Sequence, residues 1–307
     1  MGQTDLQTRH LSDRERRKLL DRYRVTTGKG FKLRDYDPGD TAGHLIAKHD
    51  AAALLNGGVE HLSALQEKLY AQDHWSLLLV FQAMDAAGKD GTIKHVMSGV
   101  NPQGVQVTSF KAPSVEELRH DFLWRAGRAL PERGKIGIFN RSHYEETLVV
   151  RVHRELLLKQ RLPPALIGKK IWEKRLKAIA NFEHFLADQG TLVLKFFLHI
   201  SKEEQKSRFM ARLDDKKKNW KFSASDLTER EYWDEYESVY EETIAATAAP
   251  HAPWFVVPAD NKWFTRLVVV AAVVDALERV DLKPNPLTET EIEALNAARV
   301  QLLGEAR

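Results

Sequence analysis

The segment AMDAAGKDGT, residues 83–92, places a lysine directly after a glycine in a short loop. Backbone N–H groups and a cation can converge there on phosphate oxygens. Lys89 would set its ammonium on the terminal phosphates, with Ala87, Gly88, Asp90, Gly91 and Thr92 around them. The loop departs from the pattern G-x-x-x-x-G-K-[ST]: Ala83 stands at the first glycine and Asp90 at the hydroxyl position. Asp85 puts a carboxylate among the phosphates, which makes sense if a Mg²⁺ ion lies between them. The bland alternative is a strand-to-helix turn with a solvated Lys89.

A second group follows in KIGIFNRSHYEE, residues 135–146. Phosphate-loop proteins draw a metal-holding carboxylate from the end of a neighbouring strand. Here the position is Asn140, a neutral oxygen ligand, with Glu145 close behind. Asp85, Asn140 and Glu145, with water, suffice for Mg²⁺, which keeps several waters. Arg141 would neutralise phosphate charge, or else pair with Glu145 on the surface. His143 reads as a helix-start residue rather than a phosphoryl carrier. A third group, Lys206, Arg208, Arg212, Lys216, Lys217, Lys218 and Lys221, crowds one helix and the loop after it. Such a run is a solvated face or a lid over about residues 206–228. Its place after the fourth strand favours a lid, which would bring Arg208 and Arg212 to the transferring group and the lysines to the phosphates.

These groups need elements to hold them. Residues 75–82, 104–110, 135–140, 191–200 and 253–259 are short apolar or β-branched runs, each followed by a helix-compatible stretch. That alternation predicts a three-layer α/β/α core with a five-stranded parallel sheet. Residues 43–71 suggest a helix interrupted at Gly57-Gly58. Residues 114–130 suggest a helix capped by Ser114 and Glu117, and residues 143–156 a further helix. The long amphipathic stretch 169–190 ends at Gly190. Residues 1–40 look polar and aperiodic. The predicted division is an arm with packed helices (1–72), the core with its lid (73–280) and a tail ending in a surface helix (281–307).

The 307 residues are 43% hydrophobic, enough for one substantial core. With no cysteine, disulfides, thiolate metal sites and cysteine nucleophiles are excluded. The apolar stretch 267–277 is too short to span a bilayer and contains Asp275. The polar N-terminus has no signal-like apolar run, so the expected location is cytoplasmic. A net charge of +3 implies no polyanion by itself, and no nucleic-acid module is recognisable.

Together, residues 83–105, 122–146 and 192–242 resemble the polyphosphate kinase 2 family. The specific feature is an aspartate-bearing phosphate loop joined to FNRSHY, and the resemblance spans roughly residues 30–280. It implies a thymidylate-kinase-like core with a basic lid, a Mg²⁺ requirement with Mn²⁺ as a substitute, and phosphoryl transfer between polyphosphate and AMP, ADP or ATP. It further implies guanine nucleotides as additional substrates and a homodimer or homotetramer. Asp85, Gly88 and Lys89 match the family's loop; Asn140 and Arg141 match its second motif; Arg208, Arg212 and Lys221 match basic lid positions; and Arg125 matches an arginine associated with the acceptor nucleotide. Asn140 and Glu145 depart from the commoner F-D-R-S-W-Y-N and look like the subgroup using AMP as well as ADP. Phe110, Ala112 and Pro113 would line a slot for the acceptor base, unless Phe110 belongs to the core. An ATP-dependent nucleotide kinase and a non-catalytic polyphosphate- or nucleotide-binding protein are the alternatives.

Overall fold

A computed structural model describes residues 9–217, 219, 222–283 and 286–304, with His44 and Ala224 described by their backbone alone. Strands β1 (Arg24–Val25), β2 (Ser76–Ala83), β3 (Val105–Ser109), β4 (Ile136–Asn140), β5 (Thr191–His199) and β6 (Trp254–Pro258) form one sheet in the order β1-β6-β5-β2-β4-β3. The five strands expected from the sequence are all parallel. A sixth, β1, comes from the arm and pairs antiparallel with β6.

Helices α1 (Asp13–Leu20), α2 (Ala51–Gln72) and α3 (Lys89–Val96) each pack on α11 (Lys262–Glu278) on one side of the sheet. On the other side lie α5 (Val149–Val152), α7 (Ile171–Asp188) and α10 (Trp233–Thr247). Short α4 (Trp124–Arg128) and α6 (Glu155–Lys159) lie in connections, α8 (Lys202–Asp214) and α9 (Ala224–Glu231) follow β5, and α12 (Glu289–Gly304) is exposed throughout. Both faces of β2 are covered, which explains its unbroken apolar run. Phe81, Phe196 and Phe255 share one rung of β2, β5 and β6 and stack at 4.9 and 5.4 Å. Among the described residues no helix is long and apolar enough to cross a membrane. The 267–277 stretch is the buried face of α11, and its Asp275 pairs with Arg24 at 2.6 Å.

Four local expectations change. Gly57 and Gly58 do not interrupt α2. A Cβ at Gly57 would sit 2.5 Å from the Arg9 carbonyl oxygen, and one at Gly58 would press on Val270, so these glycines permit close packing. Residues 114–130 do not form one helix. Ser114 and Glu117 do exchange bonds, but the turn stops at Arg119 and restarts as α4. Residues 143–156 are likewise broken, because Tyr144 and Glu146 are drawn into buried partners. The arm is not wholly aperiodic: Ser12 and Glu15 form a capping box that starts α1, a signal legible in the sequence.

Candidate active site

After β2 the chain crosses to β3 on one side and after neighbouring β5 it crosses to β6 on the other, so these two strands send their connections in opposite directions along the sheet. A crevice beyond the strand ends opens at such a switch point, and this is where open α/β sheets bind ligands. The phosphate loop leaves β2 there. Ala86 and Gly88 adopt left-handed φ values of 61° and 104°, which curl the loop before α3 starts at Lys89. Lys89 Nζ donates to the Ala83 carbonyl at 3.0 Å, so the side chain folds back over the strand end. Burial first, and the Arg141 charge second, hold its ammonium below its ordinary pKa against the pull of Asp85, Glu145 and Asp90.

The end of β4 meets this loop. Arg141, itself left-handed at φ 59°, donates its backbone N–H to the Phe81 carbonyl at 3.0 Å. Its guanidinium lies 3.2 Å from Asp85 and 3.7 Å from Glu145. Gln82 Nε2 donates to Glu145 at 3.1 Å. Burial raises the Glu145 carboxyl above its usual range, although Arg141, Lys89 and Gln82 oppose it. Burial lowers Arg141, but Glu145 and Asp85 more than offset it and hold the guanidinium above its ordinary value. Asn140 donates its Nδ2 to Asp90 at 2.7 Å, keeping its amide oxygen as an acceptor. Gly91 and the buried Thr92 lie with Asp90 in the first turn of α3.

A cavity of about 250 Å³ opens on Asp85, Arg141 and Glu145. Its far wall is Trp233, Tyr236 and Tyr240 of α10, with Asp226, Glu229 and Arg230 of α9. These were missed from the sequence. Their signal was the i, i+3, i+7 aromatic spacing inside an acidic stretch, which reads equally well as a core face. Arg212 lies at the cavity's edge, 4.0 Å from Asp226. Lys216 and Lys217 are exposed just past α8, while Lys218 and Lys221 lie outside the described residues.

Three expectations fail on geometry. Phe110 is buried edge-on against Phe139 at 4.8 Å, with Arg125 over its face at 5.3 Å, so it belongs to the core and lines no base slot. Arg208 is buried and directed at backbone carbonyls, not at the cavity. Ala112 is exposed and lines neither cavity. Pro113 and Arg125 line a second cavity of about 280 Å³ with Arg119, Arg161, Arg175 and Glu146. Arg125 donates to the Lys111 carbonyl at 2.8 Å and lies 3.7 Å from Glu146. Neighbouring Glu145 and Glu146 thus face different cavities.

Among the described residues no three Asp, Glu, His or Cys side chains converge to cage an ion. Asp85 and Glu145 nevertheless both open on the first cavity, and two carboxylates suit a hard divalent cation that completes its shell with phosphates and water.

The family described as Polyphosphate kinase 2 matches residues 46–285. The chain is 52% identical over 251 residues to the ADP-polyphosphate phosphotransferase of Rhodopseudomonas palustris, covering 81% of this chain and 87% of that protein. It is 45% identical over 276 residues to the AMP/ADP-polyphosphate phosphotransferase of Meiothermus ruber, covering 89% and 98%. The crystal structure of polyphosphate kinase 2 from Arthrobacter aurescens superposes with a TM-score of 0.81 at 43% identity, covering 90% of this chain and 95% of that one. With the phosphate loop and the Arg141–Glu145 turn meeting at the switch point of a parallel sheet, the chain belongs to the polyphosphate kinase 2 family.

Proposed function

We propose that this chain reversibly transfers a terminal phosphoryl group from inorganic polyphosphate to AMP and to ADP. The observation that supports it most is the meeting of Lys89, Asp85, Arg141 and Glu145 at one crevice. In the transfer, an oxygen of the acceptor's terminal phosphate attacks the end phosphorus of polyphosphate. A new P–O bond forms, the bridging P–O bond breaks, and its electron pair leaves on the shortened chain. Little covalent chemistry falls to the protein, so positioning and charge carry the rate. Lys89 and Arg141 supply the positive charge that the spreading negative charge requires. Folding back onto Ala83 keeps the Lys89 ammonium ready for exchange from a carbonyl to a phosphate.

Mg²⁺, with Mn²⁺ as a substitute, would be held by Asp85 and Glu145 with the Asn140 oxygen, and would supply charge neutralisation between phosphates. Polyphosphate has no base to recognise, so the aromatic wall of α10 offers the nucleoside the more suitable surface. This replaces the slot expected at Phe110. Guanine nucleotides as further substrates, a cytoplasmic location and a homodimeric or homotetrameric state belong to the same reading. Light scattering that reports a monomer at micromolar concentration would remove the last.

Purified protein with a divalent cation, AMP or ADP, and either polyphosphate or ATP tests the assignment. Expected are ADP from AMP and ATP from ADP with polyphosphate as sole donor. Transfer from ATP alone would make the chain an ATP-dependent kinase, and no transfer from either donor would leave a binding protein. Glu145→Asn is expected to depress the AMP reaction more than the ADP reaction, because AMP's attacking oxygen must be brought one phosphate closer. Misplacement of about 1 Å can cost on the order of 10²-fold. Equal loss with both acceptors would remove Glu145 from acceptor selection.

A further inference from the structure

Arg208 lies on α8, the helix that leads into the basic segment, and only 7% of its side chain is exposed. A guanidinium carries five N–H donors. Here Nε donates to Glu204 Oε1 at 2.8 Å. Nη1 donates to the carbonyls of Ala86 and Ala87 at 2.9 and 2.8 Å. Nη2 donates to the carbonyls of Ala259 and Asp260, just beyond β6, at 2.6 and 3.0 Å. Five donors meet five acceptors, all of them protein atoms, which leaves none for a phosphate.

Gln205, three residues earlier and one turn back on α8, extends the pattern. Gln205 Nε2 donates to the Asp85 carbonyl at 3.0 Å, and its Oε1 accepts from Arg230 at 2.8 Å. Three consecutive loop carbonyls, those of Asp85, Ala86 and Ala87, are therefore turned toward α8. In a planar trans peptide the C=O and the following N–H point in opposite directions. Holding those carbonyls turns the N–H groups of Ala86, Ala87 and Gly88 to the other side of the loop, away from α8. Among the described residues only that of Ala87 has a backbone partner, the Met84 carbonyl at 3.4 Å. Ala86, at φ 61°, is in a region that a residue with a Cβ resists, so the loop needs outside support to keep this shape.

We propose that Arg208 is a positioning residue: with Gln205 it fixes the direction of the phosphate loop's N–H groups from behind and does not itself contact phosphate. The proposal rests on the phosphate-binding role of the loop given above. It also predicts that a lysine cannot stand in for it. Three donors on one ammonium cannot span carbonyls contributed by two separate segments, whereas a planar fork can.

The test is calorimetric binding of tripolyphosphate across a salt series for the wild type, Arg208→Lys, Arg208→Ala and Gln205→Ala, with kcat and KM measured alongside. A positioning role predicts that Arg208→Lys and Arg208→Ala both lose about 10-fold or more in affinity and on the order of 10²-fold in kcat. Gln205→Ala should fall in the same direction. The slope of affinity against salt should stay that of the wild type, because the number of cations on the phosphates is unchanged. The proposal is overturned if Arg208→Lys binds and turns over like the wild type while Arg208→Ala weakens with a shallower slope. That pattern marks a charge in direct contact. If Arg208→Ala does not fold, Arg208→Lys and Gln205→Ala decide between the same outcomes. Wild-type protein that binds ATP but not tripolyphosphate would overturn the donor assignment alone, and the Arg208 series would then be read on ATP.

Discussion

The turn at residues 141–146 has two sides that treat charge in opposite ways. Toward the cavity, Arg141 is 44% exposed and Asp85 is 30% exposed, and the pairs of Arg141 with Asp85 and Glu145 are loose, at 3.2 and 3.7 Å. Toward the sheet, Tyr144 donates to Glu183 at 2.7 Å, and Lys195 Nζ reaches Glu183, Tyr144 and the Thr247 carbonyl, with all three side chains almost completely buried. Glu146 is clamped by Arg175 at 3.1 Å and by Gln160. The difference is one of saturation. The sheet side has matched its charges within the protein and holds the turn. The cavity side has left its charges partly in water and weakly paired, where a phosphate or cation can displace the present partners at little cost. A site for polyanions needs both, because weakly paired cations on a loose turn would collapse onto their own carboxylates.

The sharpest way to break this contrast is on the saturated side. Lys195→Met leaves Glu183 buried without its cation and should cost ~3–5 kcal/mol of stability in urea unfolding. A loss under 1 kcal/mol would mean that the network does not hold the turn. On the cavity side the loss should appear in rate. Lys89→Ala is expected to lower kcat by about 10²–10³-fold, the usual effect of removing one donor from a charge-stabilising site, with the unfolding midpoint little moved. A variant that unfolds readily yet turns over normally per folded molecule would reverse the assignment of the two sides.

Acid should act through a buried group outside the turn. His199, buried at the end of β5, has its pKa lowered by burial from its ordinary 6.5 to about 4, against the opposing pull of Asp260 and Asp37. Between these values the unfolded chain takes up a proton that the folded chain refuses. Stability should therefore fall as pH drops from 6.5 to about 4, by up to ~3 kcal/mol, and His199→Gln should flatten that profile. Identical profiles for the two proteins would exclude His199 as the cause. The smallest effect is expected at the exposed edge. Converting Lys216 and Lys217 together to Gln should raise the polyphosphate KM a few-fold at low salt, with the nucleotide KM unmoved. A shift in nucleotide KM alone would place the nucleotide, not polyphosphate, under the lid.

Much of this was legible because it is local. A strand buried on both faces must be continuously apolar, a phosphate loop needs glycine and lysine at fixed offsets, and Asp85, Lys89, Asn140 and Arg141 fall at strand ends whatever the rest of the chain does. The five parallel strands and the residues at the switch point follow from those constraints. Tertiary structure alone decided what each side chain faces. Arg208 and Arg212 sit one helical turn apart in the same basic run, yet Arg208 is consumed by loop carbonyls 121 and 122 residues away in sequence, while Arg212 lies beside the cavity. Phe110 had the composition of a base slot but packs on Phe139 because β3 and β4 are neighbours. Glu145 and Glu146 are identical in type and adjacent in the chain, but the broken turn sends one to a cavity shared with Arg141 and the other to buried arginines. Residue type and spacing determine which chemistry a segment can carry. The direction of a side chain depends on partners that are distant in sequence, and only the folded sheet brings those partners to it.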